Sequence, residues 1–272
     1  MALPLPTSLS PSKVSSFTDC ALAFRYSAID KLPEPPQVHT TRGTLVHAAL
    51  ERLFVLPAAE RTLAAALTCL SDAFDATQHD PDYSDLHLDN DAEQQFLDDA
   101  ERLVRNYFAL EDPATITPIG IELFLALKYD NLLLRGIIDR LELDPNGELV
   151  VTDYKTGKAP KQQFEQGRFG GVTFYSLLCE QLFGRRPVRV QLLYLADPVV
   201  VTLATTDRAN RNLERKVKAI WTTIEKACAE ENFAPRPSKL CDWCAYQAQC
   251  PAKGGAIPAY VTPRGGEPSP GT

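Results

Sequence analysis

The sequence predicts an α/β fold with a largely helical N-terminal portion, a central sheet flanked by helices, and a C-terminal segment that gathers cysteines. Three observations carry this. Apolar residues recur three and four apart through much of residues 10–110, the period of an amphipathic helix. After Pro113 the pattern shifts to apolar and β-branched runs separated by turn residues. Cys241, Cys244 and Cys250 then fall close together near the end of the chain.

Each element follows from local chemistry. Ser10 and Pro11 mark a helix start, a capping hydroxyl followed by proline at the first helical position, and this helix should cover residues 11–20. A short segment, "LAFRY", and a proline-rich loop, "LPEPPQ", come next. "GTLVHAALERLF", "ERTLAAALTCLSDAF" and "EQQFLDDAERLVRNYFAL" have helical apolar spacing. "ITPIGIELFLALKYD", "NLLLRGIIDRLELD" and "ELVVTDYKTG" read as strands, with turns at Asp130-Asn131 and at "DPNG", and form an antiparallel meander. A helix over residues 162–183 and two strands in "VRVQLLYLA" and "VVVTLATT" complete the sheet region, 114–206. A long helix covers residues 207–231. One domain is expected over residues 1–254, and the proline- and glycine-rich residues 255–272 read as a disordered tail.

Composition excludes several classes. With 272 residues, 44% of them hydrophobic, the chain can bury a substantial core. No apolar run approaches the ~20 residues of a membrane span. The N-terminus lacks the basic and then apolar pattern of a secretory signal, so the cytoplasm is the expected compartment. Seven cysteines in such a chain would not serve as structural disulfides. Cys69, Cys179 and Cys228 sit in helix-like apolar patterns and read as buried small hydrophobes. A net charge of −7 speaks against broad nucleic-acid binding, yet the bases cluster apart from the acids, in "KTGKAPK", "GRRPVR" and "RANRNLERKVK". That separation leaves room for a local basic face, though each run also reads as solvated surface. There is no GxxxxGK[ST] phosphate loop and hence no recognisable ATP motor.

The chemistry concentrates in two strands. Side chains alternate along a strand, so Asp139 shares a face with Ile137 and Leu141, and Asp153 shares one with Leu149, Val151 and Lys155. An unpaired buried carboxylate costs several kcal/mol or takes a proton. A divalent cation held between the two aspartates would remove that cost, and Mg²⁺ prefers oxygen ligands and keeps waters that can act as nucleophiles. Lys155 would lie ~7 Å along the strand from Asp153, near enough to orient water or stabilise charge on a phosphate. The plainer reading is a structural Asp–Lys pair at a strand end.

"GTLVHAALE", "GIIDRLELD" and "VVTDYKTGK", in this order, resemble the PD-(D/E)XK nuclease superfamily, and within it the RecB-like and CRISPR-adaptation exonucleases. They match that group's G-x-x-x-H-x-x-L-E helix, G-R-I-D-R-I-D strand and V-x-D-[YF]-K-T-G strand. The resemblance spans Leu9 to Pro251 and implies a restriction-endonuclease-like mixed sheet. It further implies His47, Asp139, Asp153 and the Tyr154 carbonyl as metal ligands for Mg²⁺ or Mn²⁺, with Lys155 as the catalytic lysine. Glu51, one turn after His47, reads as helix surface or a supporting residue. Glu122 stands where related enzymes often carry an acid and is expected to support the site or bind a second metal. The group's Q-x-x-x-Y helix is met at Tyr175 but not four residues earlier, at Gly171. Gln163 and Gln166 lie nearby, and Arg168 could contact phosphate.

C-x2-C-x5-C-P at Cys241, Cys244 and Cys250 places three thiols too close together for core filling, and they need a fourth ligand. Spacing alone allows either a tetrahedral zinc or an iron–sulfur centre. By the resemblance, Cys20 is the fourth ligand and the centre a [4Fe–4S] cluster. Either would close a loop of about 220 residues, worth roughly 5 kcal/mol on a chain-entropy model. The implied function is a metal-dependent exonuclease acting on single-stranded or end-frayed DNA in repair or recombination. The other expectation is a non-catalytic DNA-binding or helicase–nuclease complex subunit that keeps the fold and cluster, which the glycine at position 171 favours. A helicase working in trans would also suit a chain without a motor.

Overall fold

The structure is a computed structural model that describes residues 2–159 and 170–261. The helices are α1 (Pro11–Asp19), α2 (Ala21–Phe24), α3 (Val38–Val55), α4 (Leu63–Thr77), α5 (Pro81–Ser84), α6 (Asn90–Tyr107), α7 (Gly170–Phe183) and α8 (Asp207–Glu230). The strands are β1 (Pro118–Tyr129), β2 (Leu132–Leu143), β3 (Leu149–Lys155), β4 (Arg189–Tyr194) and β5 (Val199–Ala204). They form one five-stranded sheet in the order β1-β2-β3-β4-β5. The β2–β3 and β4–β5 pairs are antiparallel and the β3–β4 pair is parallel, so the sheet is mixed. The parallel pair has α7 between its strands in sequence, as a parallel connection requires. Gln163, Gln166 and Arg168 lie outside the described residues.

The chain divides into two compact units. The larger comprises Pro36–Leu127 and Arg135–Leu213. Its core joins α3, α4 and α6 to the sheet: Leu45, Val46, Ala49, Leu50, Leu53 and Phe54 repeat at three- and four-residue spacing and pack with Leu70, Phe96, Leu103, Tyr107, Tyr154 and Leu193. Thr62 caps α4 by accepting from the Ala65 N–H, and Asp89 caps α6 by accepting from Ala92, with Asp91 and Glu93 in the favourable first turn.

The smaller unit comprises Met1–Pro35, Lys128–Leu134 and Glu214–Thr272. Ser10 caps α1 through the Lys13 N–H, as its sequence requires. Leu9 forms a parallel bridge with Leu134, and the Leu3 N–H donates to the Cys228 carbonyl at 3.0 Å. "LAFRY" proves helical: α2 runs into a π-helical turn over Arg25–Ile29, with Arg25 paired to Asp30 at 3.0 Å. A five-residue helical turn has no apolar period to announce it. The Tyr26 hydroxyl donates to the Gln249 carbonyl at 2.9 Å, Tyr246 bonds Glu34, and the two tyrosine rings meet edge to face at 5.3 Å. Among the described residues no helix is long and apolar enough to cross a membrane.

Candidate active site

The site lies in the larger unit, where β2 and β3 part. Their register runs from Leu143↔Leu149 to Arg140↔Thr152 and ends there. On its other edge β3 continues to pair with β4 as far as Lys155↔Tyr194. Past the last rung, the Tyr154 N–H donates to Asp139 Oδ2 at 2.6 Å, a carboxylate standing in for a ladder carbonyl. Asp139 and Asp153 are both buried, 7% and 5% exposed, and so are their neighbours on the opposite face, Ile138, Arg140, Thr152 and Tyr154.

His47 reaches the fork from α3. Its Nδ1 lies 3.5 Å from Asp139 Oδ2 and 3.8 Å from Glu122 Oε1. One ligating atom from each of His47, Glu122 and Asp139 falls within 4.8 Å of the others, a spacing that suits a single cation. Gly43, one turn before the histidine, permits the approach: a Cβ there would meet Thr156 Oγ1 at 3.0 Å, just beyond the lysine strand. Gly136 does the same on the other side, since its Cβ would meet Tyr175 Cε1 at 3.0 Å. The Tyr154 ring packs edge to face on His47 at 5.9 Å.

Glu122 joins the trio because β1 departs from regular strand geometry there. Its φ is +43°, in the left-handed region that residues other than glycine rarely enter. Such a conformation costs on the order of 1–3 kcal/mol and is found most at functional sites. Around it the alternation of burial lapses: Ile121, Glu122 and Leu123 are all half-buried. Periodicity therefore could not place Glu122 in the trio, although an acid in an apolar strand marked it out.

The electrostatics show an excess of negative charge. Burial pushes the Asp139 carboxyl up to about 7, the Asp153 charge adds to this, and His47 and the Tyr154 amide oppose it. Burial alone would lower His47, but the neighbouring carboxylates of Glu122, Asp139 and Asp153 raise it to about 8. The imidazole thus keeps a proton near neutral pH, as expected where carboxylates outnumber cations. A divalent ion fits this donor set, nitrogen and oxygen ligands with uncompensated negative charge around them.

Asp153 stands beside the trio, its Oδ2 2.5 Å from Lys155 Nζ. Burial works against the charged lysine, yet Asp153 holds its pKa above the usual value. Lys155 remains 45% exposed. Burial raises the Tyr175 phenol far above its ordinary range, and Asp153, Asp139 and Glu122 all act in the same direction, which puts the phenol beside the acids. Gly171 lies half-buried in α7, one turn before Tyr175. Glu51 is exposed, a surface residue of α3.

The four remaining predicted ligands lie in the smaller unit. Cys20, Cys241, Cys244 and Cys250 are half-buried free thiols. Cys20 Sγ accepts from the Arg236 N–H at 3.4 Å, and Cys241 Sγ accepts from the Ser238 N–H at 3.3 Å. Burial raises the Cys244 thiol, and Cys20, Cys241 and Cys250 push the same way, so the four share one electrostatic neighbourhood. They do not form a tight ligand set: among the described residues only the His47 trio does. Cys69, Cys179 and Cys228 are buried, as their apolar contexts predict.

A family model of the PD-(D/E)XK nuclease superfamily matches residues 8–251. The "Gene 69 protein" of Mycobacterium phage D29 is 24% identical over 278 residues, covering 89% of this chain and 96% of that protein. A crystal structure named "Putative exonuclease", from Eubacterium rectale, superposes with a TM-score of 0.56 at 12% identity, covering 88% of each chain. The likeness to that structure shows the fold, a restriction-endonuclease-like mixed sheet flanked by helices.

Proposed function

The chain belongs to the PD-(D/E)XK nuclease superfamily, and from that premise we propose that it is a metal-dependent DNA exonuclease of the RecB-like kind. The convergence of His47, Glu122 and Asp139 beside the Asp153–Lys155 pair carries the reading. His47, Asp139 and Asp153, with the Tyr154 carbonyl, would hold Mg²⁺ or Mn²⁺, and Glu122 would close the set or bind a second ion. When bound, the ion polarises a phosphodiester and activates water for hydrolysis. Asp153 holds the Lys155 ammonium at the open side of the site, where it would orient the attacking water and neutralise charge building on the phosphate. The Tyr175 phenol, too weak an acid to ionise, would donate a hydrogen bond to a phosphate oxygen.

We assign the four cysteines to a [4Fe–4S] cluster. The N–H···S bonds to Cys20 and Cys241 support this, because such bonds stabilise thiolate ligands and tune cluster potential. Zinc is the alternative. A tetrahedral zinc with Zn–S near 2.3 Å would use the same four thiols. The substrate would be single-stranded or frayed DNA, met in repair or recombination and supplied by a helicase in trans.

Purified protein with labelled single- and double-stranded DNA, Mg²⁺ or Mn²⁺, and Asp153→Ala as control tests the reading. Cleavage that requires both metal and Asp153 is expected. Wild-type rates from Asp153→Ala would refute the site. DNA binding without cleavage by the wild type would favour the non-catalytic subunit, the role to which Gly171 points.

A further inference from the structure

Arg140 is fully buried on the face of β2 opposite the metal trio. It occupies the last rung before β2 and β3 part, opposite Thr152. Its guanidinium reaches back across that rung. Nη2 donates to Thr152 Oγ1 at 3.2 Å, before the fork, and Nη1 donates to the Tyr154 hydroxyl at 2.8 Å, beyond it. Glu111, four residues past the end of α6, takes both terminal nitrogens, and Glu142 takes Nε at 2.6 Å. The guanidinium also lies 4.8 Å over the Phe54 ring of α3. A planar fork of five donors can make these contacts together, and an ammonium cannot.

The contacts have a direction. The Tyr154 hydroxyl accepts from Arg140, its amide N–H donates to Asp139 and its ring meets His47 edge to face. Past the last rung β2 has no ladder bond to β3, so the distance between Asp139 and Asp153 is left to side chains. We propose that Arg140 is the positioning residue that fixes this gap, acting through Tyr154 to hold the metal ligands at cation-binding spacing. This rests on the metal-dependent reading of the site.

Direct Mn²⁺ binding by the full-length protein, followed through the electron paramagnetic resonance of free Mn²⁺, tests it without relying on turnover. Arg140→Lys should raise the Mn²⁺ dissociation constant about tenfold or more, the size typical of losing a group that orients metal ligands. Tyr154→Phe keeps the ring and the backbone amide but removes the arm that Arg140 holds, and should raise the constant severalfold while lowering kcat more than it changes KM for DNA. Glu142→Gln loosens the guanidinium on the side away from the fork and should lower the melting temperature with Mn²⁺ affinity within twofold of wild type. If Arg140→Lys does not fold, Tyr154→Phe decides. Wild-type Mn²⁺ affinity in Tyr154→Phe would overturn the proposal, and so would an equal loss in Glu142→Gln, which would reduce the effect to general loosening. Wild-type protein that binds no Mn²⁺, or Asp139→Ala protein that binds it normally, would strike the metal-site reading itself.

Discussion

Asp139→Asn should stabilise the metal-free protein at alkaline pH while abolishing its response to metal. The substituted carboxamide keeps the shape and still offers an oxygen to the Tyr154 N–H, so only the charge is removed. In the folded chain the Asp139 carboxyl is raised from 3.8 to about 7. An acid raised by folding binds more protons folded than unfolded, so stability falls as pH rises from the unfolded value to the folded one. Three pKa units at about 1.36 kcal/mol each set a ceiling of about 4 kcal/mol, complete by about pH 8. By pH 5 only about a third of it has developed, because the span from 3.8 to 5 is about a third of the whole. Urea unfolding of both proteins with chelator at pH 5 and pH 8, then with Mn²⁺, measures this. Asp139→Asn should exceed wild type by more at pH 8 than at pH 5, and Mn²⁺ should raise the wild-type midpoint alone. A less stable Asp139→Asn at pH 8, or an equal Mn²⁺ response in both, would refute the reasoning.

Other outcomes follow from the same geometry. Lys155→Ala should cut cleavage by about a hundredfold or more with circular dichroism unchanged, since the side chain is half exposed. His47→Ala should shift the Mn²⁺ half-saturation of activity upward, and an unchanged curve would return His47 to a packing role. Gly136→Ala should push Tyr175 away from the acids and raise KM for DNA, because its methyl would stand 3.0 Å from the ring. Anaerobically purified protein should carry about four irons and absorb near ~400 nm, and Cys20→Ser should bleach it. One zinc and no iron would reject the cluster and leave the nuclease standing.

Part of the site was legible because an acid inside an apolar strand stands out. Asp139 and Asp153 broke apolar runs, and both are buried along with their neighbours on the opposite face. His47 followed from a motif whose glycine proves to have a steric reason. What escaped did so for physical reasons. The place of Glu122 among the ligands depends on a backbone angle that period-two counting assumes away. Arg140 reads as an ordinary charge on the second face of a strand. Its partners, Glu111, Tyr107 and Phe54, lie far back in sequence on other elements, and a charge is buried only if such partners arrive.

The smaller unit joins the first thirty-five residues to the last stretch of the chain, through Tyr26 to Gln249, Glu34 to Tyr246, and Cys20 to Arg236. On the ribosome these partners are separated by the synthesis of 212 to 223 residues. At about 5–20 residues per second the N-terminal segment waits on the order of ten seconds or more for its counterpart. Residues 36–213, apart from the turn at 128–134, belong to the larger unit and emerge during that wait, so the nuclease sheet can assemble while the first helix is still unclaimed. Completion of the smaller unit therefore waits until residues 236–249 have emerged. A nascent chain arrested before residue 236 would carry the aspartates and the lysine while Cys20, Tyr26 and Glu34 still lacked these partners.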